Sequence, residues 1–319
     1  MPDELGIIDS IVGEAGEVPE GYAKIGDDVA VLPAGKGMLV WKVDMLVEHT
    51  DVPTGMTYRQ AARKAVAMCV SDFASKGVKP DSFMVSLGLK KGVTQARVDQ
   101  LARGLRDAER EWGVHLVGGD TNEAGELVID CAMLGFAQRL VPRSGARPGD
   151  ALVVTGAFGY PPAGLKILTS GAKADPGFAS RARRSVLRPA PNLALGLALA
   201  PYLNSAMDSS DGLARSLHTL AKQSSVGFEL TSLPAAEGVA EFAAENRLKV
   251  RELVLEGGEE YIIVGTVGRS KLREAGRVAR SNGGELFEIG RVTSRKGRVS
   301  LVSKGRTTAI RDEGWTHLR

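Results

Sequence analysis

The sequence predicts an α+β protein of two domains, with the boundary between residues 142 and 143. Its length of 319 residues suits two domains of roughly 100–200 residues each. Short β-rich runs alternate with helical spacing in both halves, but without the regular succession of one doubly wound sheet. The segment Arg143–Asp150 (RSGARPGD) concentrates glycine, proline and charge, as linkers do. We therefore expect domains at 1–142 and 143–319.

The first half opens with a β-rich run, Met38–Val43, which predicts a strand. Thr57 can cap the helix that follows, and Gly77 should end it at about Lys76. A second helix is predicted for Val93–Trp112, and further strands for Ser82–Leu89, Val114–Val117 and Leu127–Phe136.

The second half begins with a predicted strand, Ala151–Thr155, and a glycine-containing turn. Helices are predicted near 162–170, 177–188 and 192–200, then at Gly212–Lys222 and Ser270–Ser281. Strands are predicted before Asp208 and at Val226–Leu230, Glu260–Val267 and Leu286–Val292.

The composition excludes several classes of protein. The net charge is +3, from 41 basic and 38 acidic residues, so the basic excess of a dedicated nucleic-acid or anionic-membrane binder is missing. No window approaches the roughly 18 apolar residues of a membrane span, and the initial MPDELGIIDS does not resemble a signal peptide. Cys69 and Cys131 lie in apolar runs and are predicted to be buried free thiols. We expect a cytoplasmic protein without nucleic-acid or membrane partners.

Several common catalytic motifs do not occur in the sequence. There is no G-x-x-x-x-G-K-S/T phosphate loop, no complete G-x-G-x-x-G fingerprint and no G-x-S-x-G elbow. H-E-x-x-H and C-x-x-C are missing too, and the 4 histidines are scattered. If the protein binds a nucleotide, groups outside these motifs must hold its phosphates.

Acidic residues flanked by glycine or serine recur beside apolar runs. They are Asp27, Asp28, Asp44, Asp72, Asp120, Asp208, Asp211, Glu259 and Glu260, and Asp44 and Asp120 are predicted to close their strands. One such aspartate alone is commonly a turn or helix-cap residue. Several together suit Mg²⁺, which prefers oxygen ligands and bridges phosphate oxygens. Gly118–Gly119 and Arg143–Gly145 could add backbone N–H groups and a cation for a phosphate.

Asp72 is predicted to lie inside the otherwise apolar helical segment Ala65–Ala74. A buried carboxylate is costly unless it is paired or binds a metal. The alternative is that Asp72 lies on a solvent-facing side of the helix.

A series of segments, in order along the chain, carries a resemblance to a known family. They are Ile25–Ala30, Asp44–Val47, Val70–Ala74 with Gly77 and Pro80, Gly118–Thr121, Arg143–Asp150, Asp208–Leu213 and Gly257–Tyr261. Together they resemble the thiamine-monophosphate kinases, a branch of the PurM-like (aminoimidazole ribonucleotide synthetase) superfamily. The resemblance covers about residues 20–265, with a weaker match at Gly314–His317.

The resemblance implies a PurM-like fold of two domains. The N-terminal domain would form a dimer-spanning β-barrel with its copy in a homodimer, and the C-terminal domain would be an α/β sandwich. ATP would lie in the cleft with several Mg²⁺ ions. The phosphate of thiamine monophosphate would attack the γ-phosphate of ATP directly, which requires positioning and charge neutralisation rather than a covalent nucleophile.

The resemblance also implies roles for individual residues. The metal ligands would be Asp28, Asp44, Asp72, Asp120, Asp208 and, directly or through water, Asp211, and of these Asp44, Asp120 and Asp211 would be catalytic. The contacts to ATP would be Gly119, Asp120, Arg143 and Ser210. The substrate contacts would be Asp51, Glu259 and Trp315, with the Trp315 ring stacking on the substrate.

The chain departs from the family pattern at Lys42-Val43-Asp44, where Ser-Thr-Asp or Thr-Thr-Asp is usual. Two hydroxyl ligands are therefore missing. Residues 42 and 44 of a strand point to the same face, so we hypothesise that the Lys42 ammonium takes the place of one metal ion. The alternative is a structural lysine whose stem packs along the strand.

A second departure concerns the substrate pocket. The family has a substrate-contacting histidine after this strand, whereas here Asp51 falls at the aligned position and His49 is out of register. The usual Gly-Glu-Asp-Tyr also reads Gly258-Glu259-Glu260-Tyr261.

These departures leave alternatives open. One is another ATP-dependent enzyme of the superfamily that acts on a different phosphorylated small molecule. Another is a catalytically decayed nucleotide-binding module, which would bind ATP without turnover. The reactive cysteine of the selenophosphate synthetases and the C-terminal cysteine of the hydrogenase-maturation members do not occur in the sequence.

Overall fold

The computed structural model describes residues 4–15, 19, 26–303 and 305–317. Within these ranges the strands form two separate sheets. The first has the order β1-β2-β5-β3-β4, with β1 at Ala30–Ala34, β2 at Gly37–Val47, β3 at Pro80–Leu89, β4 at His115–Glu123 and β5 at Val128–Ala137. The second has the order β12-β11-β8-β10-β6-β9-β7, with β6 at Ala151–Val154, β7 at Leu203–Asp208, β8 at Gly227–Leu230, β9 at Ile263–Val267, β10 at Phe287–Thr293, β11 at Val299–Ser303 and β12 at Arg306–Ala309.

Helices flank both sheets. They are α1 Glu4–Glu14, α2 Glu48–Asp51, α3 Tyr58–Lys76, α4 Gln95–Trp112, α5 Tyr160–Ser170, α6 Pro176–Leu187, α7 Leu193–Leu199, α8 Leu213–Ser224, α9 Val239–Glu245, α10 Val250–Leu255 and α11 Leu272–Ser281. The predicted mixture of helices and strands in two sheets, rather than one doubly wound sheet, is confirmed. In the part of the chain that is described, neither sheet closes on itself.

Helix α3 positions much of the site. The Thr57 hydroxyl accepts from the Gln60 N–H, and the Gln60 side chain accepts from the Thr57 N–H at 2.9 Å, so the predicted cap forms. The helix ends at Gly77, which has a left-handed φ of 65°. It packs against β2, β5 and α4 of the first half and against α7 and β7 of the second. Because α3 lies between the two halves, nearly all of its side chains are buried.

Two strands extend further than predicted. Asp44 does not close its strand, because β2 continues to Val47 in register with β5. Asp120 likewise lies within β4, which pairs with β3 as far as Glu123. The prediction took the first acidic residue after each apolar run as the end of the strand, whereas the backbone hydrogen bonds continue past it.

Sequence patterns did not indicate β1, α1, α2, α9, α10, β11 or β12. Most of these elements are short and lack a clear apolar period. Ile25, in the first family motif, lies outside the described residues.

The core of the first half lies between its sheet and helices α3 and α4, around Val40, Leu46, Phe73, Ile129 and Met133. Cys69 and Cys131 are free and buried in this core, as predicted. None of the described helices is long and apolar enough to cross a membrane.

The other face of the first sheet is exposed and apolar. It carries Trp41, Val43 and Met45 of β2, Met84 of β3 and Phe136 of β5, whose exposed fraction is 63%. Strand register places these side chains together, because Val43 and Met84 both pair with Ala132, and Phe136 pairs with Leu39. We call these five residues the open face. Exposed apolar patches of this kind are typical of interaction surfaces.

Candidate active site

Three buried carboxylates meet between the two sheets. Asp28 precedes β1, Asp72 lies in α3 and Asp208 ends β7. Each residue is at most 5% exposed, and one carboxylate oxygen from each lies within 4.8 Å of the other two. The Ser71 hydroxyl donates to Asp208 Oδ2 at 2.6 Å. Carboxylates so close together repel one another, which favours either a nearby cation or protonation of one of them. The buried position of Asp72 also excludes the solvent-facing alternative.

Asp28 is neutralised by the protein itself. Lys76 Nζ lies 2.6 Å from Asp28 and 2.6 Å from Asp27, and it donates to the Ala206 carbonyl at 2.7 Å. Arg143 Nε donates to Asp28 at 2.7 Å. Burial raises the pKa of Asp28, but the charges of Lys76 and Arg143 outweigh it and hold that pKa below its usual value. Asp28 therefore links the two halves of the chain as an ion pair.

Lys42 lies between two of the predicted metal ligands. Its Nζ is 3.2 Å from Asp44 Oδ1 and 2.9 Å from Asp72 Oδ2. Lys42 and Asp44 are on the α3 side of β2, with the buried Val40 and Leu46. The ammonium is thus placed where it can neutralise both carboxylates, which agrees with the hypothesis that it takes the place of a metal ion.

Asp72 and Asp208 lie in surroundings that disfavour their ionised forms unless a further cation is present. Burial raises the pKa of Asp72 well above its usual range, and Asp208, Asp44 and Asp28 raise it further, although Lys42 opposes them. Burial, with the Asp28 charge, raises the pKa of Asp208 to about 6 against the hydrogen bond from Ser71. Oxygen ligands with unneutralised charge fit a divalent cation such as Mg²⁺. Asp72 and Asp208 are the best placed to hold one.

A pocket beside this cluster brings together all the predicted substrate residues. Its lining includes Asp51, Glu259 and Trp315, together with the predicted Ser210 and Asp211. Sequence reasoning did not assign a role to the other lining residues, namely Thr50, Pro53, Met68, Leu165, Gly258, Tyr261 and His317. Tyr261 belongs to a recognised motif and could have been included, but Met68 and Leu165 gave no signal beyond ordinary helix hydrophobicity.

The loop Gly257–Tyr261 connects the pocket to the cluster. The Glu259 N–H donates to the Ser210 carbonyl at 2.6 Å, and Glu259 and Tyr261 have left-handed φ values of 62° and 49°. Burial raises the pKa of the Tyr261 phenol well above its usual value, and the negative charges of Glu259 and Asp208 raise it further. The Tyr261 N–H also donates to the carbonyl of Ser209, which directly follows Asp208 of the cluster, so this loop is hydrogen-bonded to the chain next to the cluster.

Asp120 and Gly119 lie elsewhere. In the strand register, Asp120 of β4 lies opposite Ser86 of β3. Ser86 lies opposite Asp130 of β5, and Asp130 lies opposite Met45 of the open face. This register places Asp120 on the face opposite Asp44, where it is exposed. Among the described residues, it does not join the carboxylate cluster. Its predicted role, and that of Gly119, stay predictions.

Comparison with known proteins shows which family the chain resembles. Residues 26–137 match the N-terminal domain of AIR synthase related proteins, and residues 147–302 match their C-terminal domain. The chain is 38% identical to a thiamine-monophosphate kinase of Nitrosopumilus maritimus, over 93% of this chain and 94% of that one. It is 34% identical to a thiamine-monophosphate kinase of Pyrococcus horikoshii, over 92% and 91%.

A solved structure agrees with the sequence relatives. AaThiL complexed with AMPPCP and TMP superposes with a TM-score of 0.86 at 26% identity, over 99% of this chain and 97% of that one. The two-domain PurM-like fold is thereby shown. Identity at these levels along nearly the whole chain reflects common descent, and the chain therefore belongs to the thiamine-monophosphate kinase family.

Proposed function

We propose that the protein transfers the γ-phosphate of ATP to thiamine monophosphate, giving thiamine diphosphate and ADP. Relatives along the whole chain are thiamine-monophosphate kinases, and the similar AaThiL binds AMPPCP, an analogue of ATP, together with TMP. The observation that carries the proposal is a pocket with carboxylate and aromatic walls beside a buried carboxylate cluster.

The pocket suits the organic part of this substrate. Thiamine monophosphate has a cationic thiazolium ring and an aminopyrimidine ring. Trp315 and Tyr261 offer aromatic faces, and Asp51, Asp211 and Glu259 offer negative charge. Aromatic faces and nearby carboxylates both attract a ring that carries positive charge.

The reaction needs little covalent chemistry from the protein. An ionised oxygen of the substrate phosphate attacks the γ-phosphorus, and the bond to the β-phosphate oxygen breaks as ADP leaves. That oxygen carries no proton at the moment of attack, so no general base is required. We assign Arg143 and Ser210 to holding phosphate oxygens, and Asp211 to the junction between the pocket and the phosphates.

Mg²⁺ completes the proposal. Asp44, Asp72 and Asp208 would hold it, with Lys42 neutralising part of the charge on Asp44 and Asp72. Asp28 is already paired with Lys76 and Arg143. A bound Mg²⁺ supplies neutralisation of the charge that develops on the phosphate oxygens.

We propose a homodimer that pairs the open faces of two copies. In a monomer, the five large apolar side chains of the open face would leave a large apolar area exposed to water. Pairing would bury them, and it supports the expected dimer-spanning barrel. It would also bring Asp120, on the same side of the sheet, next to the partner subunit.

Two further proposals follow from the sequence. We keep the domain boundary between residues 142 and 143, since the segment from Arg143 leads out of the first sheet and into β6. We place the protein in the cytoplasm, where ATP is made and free buried thiols persist.

The deciding experiment is a turnover assay with purified protein, ATP, Mg²⁺ and thiamine monophosphate, with a control that lacks the phosphate ester. We expect ADP and thiamine diphosphate in equal amounts, both dependent on the substrate. ATP binding without any product would exclude this substrate and favour another phosphate ester or a binding module.

A further inference from the structure

A fully buried lysine at the C-terminal end of α3 is surrounded by oxygen atoms from both halves of the chain. Lys76 is 0% exposed, and its Nζ lies 2.6 Å from Asp27 Oδ1 and 2.6 Å from Asp28 Oδ2. It also donates to the Ala206 carbonyl of β7 at 2.7 Å. An ammonium carries three N–H groups, so these three oxygens use all of them. Because burying an ammonium is costly unless it is paired, Lys76 is held as a fixed cation beside the two aspartates.

Asp27 and Asp28, which we call the aspartate pair, have donors on every carboxylate oxygen. Besides Lys76, Asp27 Oδ1 accepts from the Asp28 N–H at 2.7 Å, and Asp27 Oδ2 accepts from the Arg143 N–H at 3.0 Å. Besides the contact of Lys76 with Oδ2, Asp28 Oδ1 accepts from Arg143 Nε at 2.7 Å and from its Nη2. The protein itself therefore satisfies the aspartate pair.

Asp72 and Asp208 differ from the aspartate pair. Lys42 contacts Oδ2 of Asp72, and Ser71 donates to Oδ2 of Asp208. No residue in the described ranges donates to Oδ1 of either carboxylate. One oxygen of Asp28 lies within 4.8 Å of both carboxylates, so distance alone would allow all three to share an ion. The donors distinguish them, because a divalent cation needs oxygens that are not already used by the protein.

The aspartate pair holds Arg143 at several atoms. One aspartate accepts from its backbone N–H and the other from Nε and Nη2, while Nη1 donates to the Gly26 carbonyl at 3.0 Å. Nη1 and Nη2 each carry a second N–H that these contacts do not use. The side chain of Arg143 is 21% exposed, whereas those of Lys76 and Asp28 are 0% exposed. Arg143 is thus the accessible member of this group.

We infer that the aspartate pair holds Arg143 in position for a phosphate and binds no divalent cation, and that Lys76 is the positioning residue of this arrangement. The ammonium supplies the positive charge that a metal ion would otherwise supply to the pair. The inference rests on the proposed function, in which Arg143 holds phosphate oxygens. It also removes Asp28 from the metal ligands that the family resemblance implies.

Wild-type protein tests the inference directly. In crystals grown with AMPPCP and Mn²⁺, anomalous scattering locates each bound ion. We expect Mn²⁺ at Asp72 or Asp208, none within about 2.5 Å of an oxygen of the aspartate pair, and an Arg143 N–H on a phosphate oxygen. An Mn²⁺ ligated by the aspartate pair would overturn the inference but leave the proposed function intact, since the turnover assay tests that function separately. Failure of AMPPCP to bind would overturn both.

Lys76→Met removes the ammonium but keeps an unbranched apolar side chain. The aspartate pair then loses its shared donor, so at saturating AMPPCP the variant should bind about one more Mn²⁺ per chain than wild type. Its affinity for AMPPCP should fall at least about 10-fold, because Arg143 is no longer held in place. Lys79→Met, at an exposed lysine, is the matched control and should keep both wild-type values.

A folded Lys76→Met variant with the wild-type ion count, or with the wild-type affinity for AMPPCP, would overturn the inference. A merely structural lysine would not raise the ion count when removed. If the variant does not fold, the ion positions in wild-type crystals decide the result.

Discussion

At the residue scale, the site contains buried carboxylates whose negative charge is partly neutralised by buried or half-buried cations. Lys42, Lys76 and Arg143 neutralise part of a group of carboxylates that the chain brings together from distant positions. Burial raises the pKa of Asp72 and of Asp208, so we expect these two carboxylates to govern both cation binding and the stability of the protein without cations.

Lys42→Ser tests the hypothesis that an ammonium takes the place of a metal ion. With Lys42 removed, Asp44 and Asp72 lose their shared partner, so we expect the variant to bind about one more divalent ion than wild type. Mn²⁺ stoichiometry in the presence of AMPPCP measures this directly. Lys91→Ser, at an exposed lysine, serves as the control. An unchanged ion count in Lys42→Ser would refute the hypothesis.

Asp208→Asn should stabilise the protein when metal is absent. The pKa of Asp208 is about 6 in the folded state against a usual value of 3.8, so the folded state binds more protons than the unfolded state in this interval. The Asp208 contribution to stability therefore falls as pH rises from about 4 to about 6, and it stays low above that range. An asparagine does not ionise, and it can still accept from Ser71.

We expect the Asp208→Asn variant in EDTA at pH 7 to unfold with a free energy about 1–3 kcal/mol above wild type. Urea unfolding over pH 4–7 measures the difference, which should shrink toward the acid end. Asp81→Asn, at an exposed aspartate, should change stability by less than about 0.5 kcal/mol. A variant less stable than wild type at pH 7 would contradict the cost assigned to burying an ionised Asp208.

The family resemblance implies that Asp120 is a ligand of the phosphate-bridging cation. If so, Asp120→Asn removes one charge from that ligand set and should lower turnover at least about 10²-fold. Asp120 is exposed in β4, so the folded protein should melt at nearly the wild-type temperature. Steady-state kinetics and a thermal melt of the same sample separate the two effects. Glu123→Gln, on the same strand, is the control, and near-normal turnover of Asp120→Asn would exclude the role.

At the element scale, the ends of α3 and α4 provide a matched pair of glycines. Gly77 and Gly113 both have φ of 65°. A Cβ on Gly77 would lie 2.1 Å from the Ala200 Cβ, whereas a Cβ on Gly113 would meet nothing within 4 Å. Alanine substitution at each of the two glycines separates two contributions to the free energy of unfolding. One is the strain of a left-handed backbone, and the other is the packing of α3 against the second half of the chain.

Gly113→Ala should cost only the backbone strain, about 1–2 kcal/mol. Gly77→Ala should cost about 1–3 kcal/mol more, because it overpacks the contact with Ala200. Chemical denaturation of both variants measures the difference. Equal destabilisation of the two variants would show that the structure around Gly77 and Ala200 accommodates the added methyl group without a packing cost.

At the scale of the whole molecule, we propose that two copies associate through the open face. We expect wild-type protein to sediment at about twice the 33.7 kDa of one chain. Phe136→Glu places a charge at the most exposed position of the open face and should give monomers. Ile11→Glu, at an exposed residue of α1 outside that sheet, should leave the dimer intact. A Phe136→Glu variant that remains dimeric would show that the copies associate through another surface.

The sequence by itself determined much of this protein. Capping and glycine rules located α3 between Thr57 and Gly77, because such signals act within a few residues. The order of the aspartate and glycine motifs indicated the family and the type of chemistry. Patterns also indicated most of the longer strands and helices, since their apolar residues follow a clear period.

Only the tertiary structure decided how those residues are combined. It placed Asp44 with Lys42 and Asp72, but Asp120 on the opposite face of the same sheet, because strand register is set by pairing across the whole sheet. It also joined Lys64 to Glu259 across 195 positions. Contacts between distant residues depend on how whole elements pack, and no local pattern in the sequence encodes them.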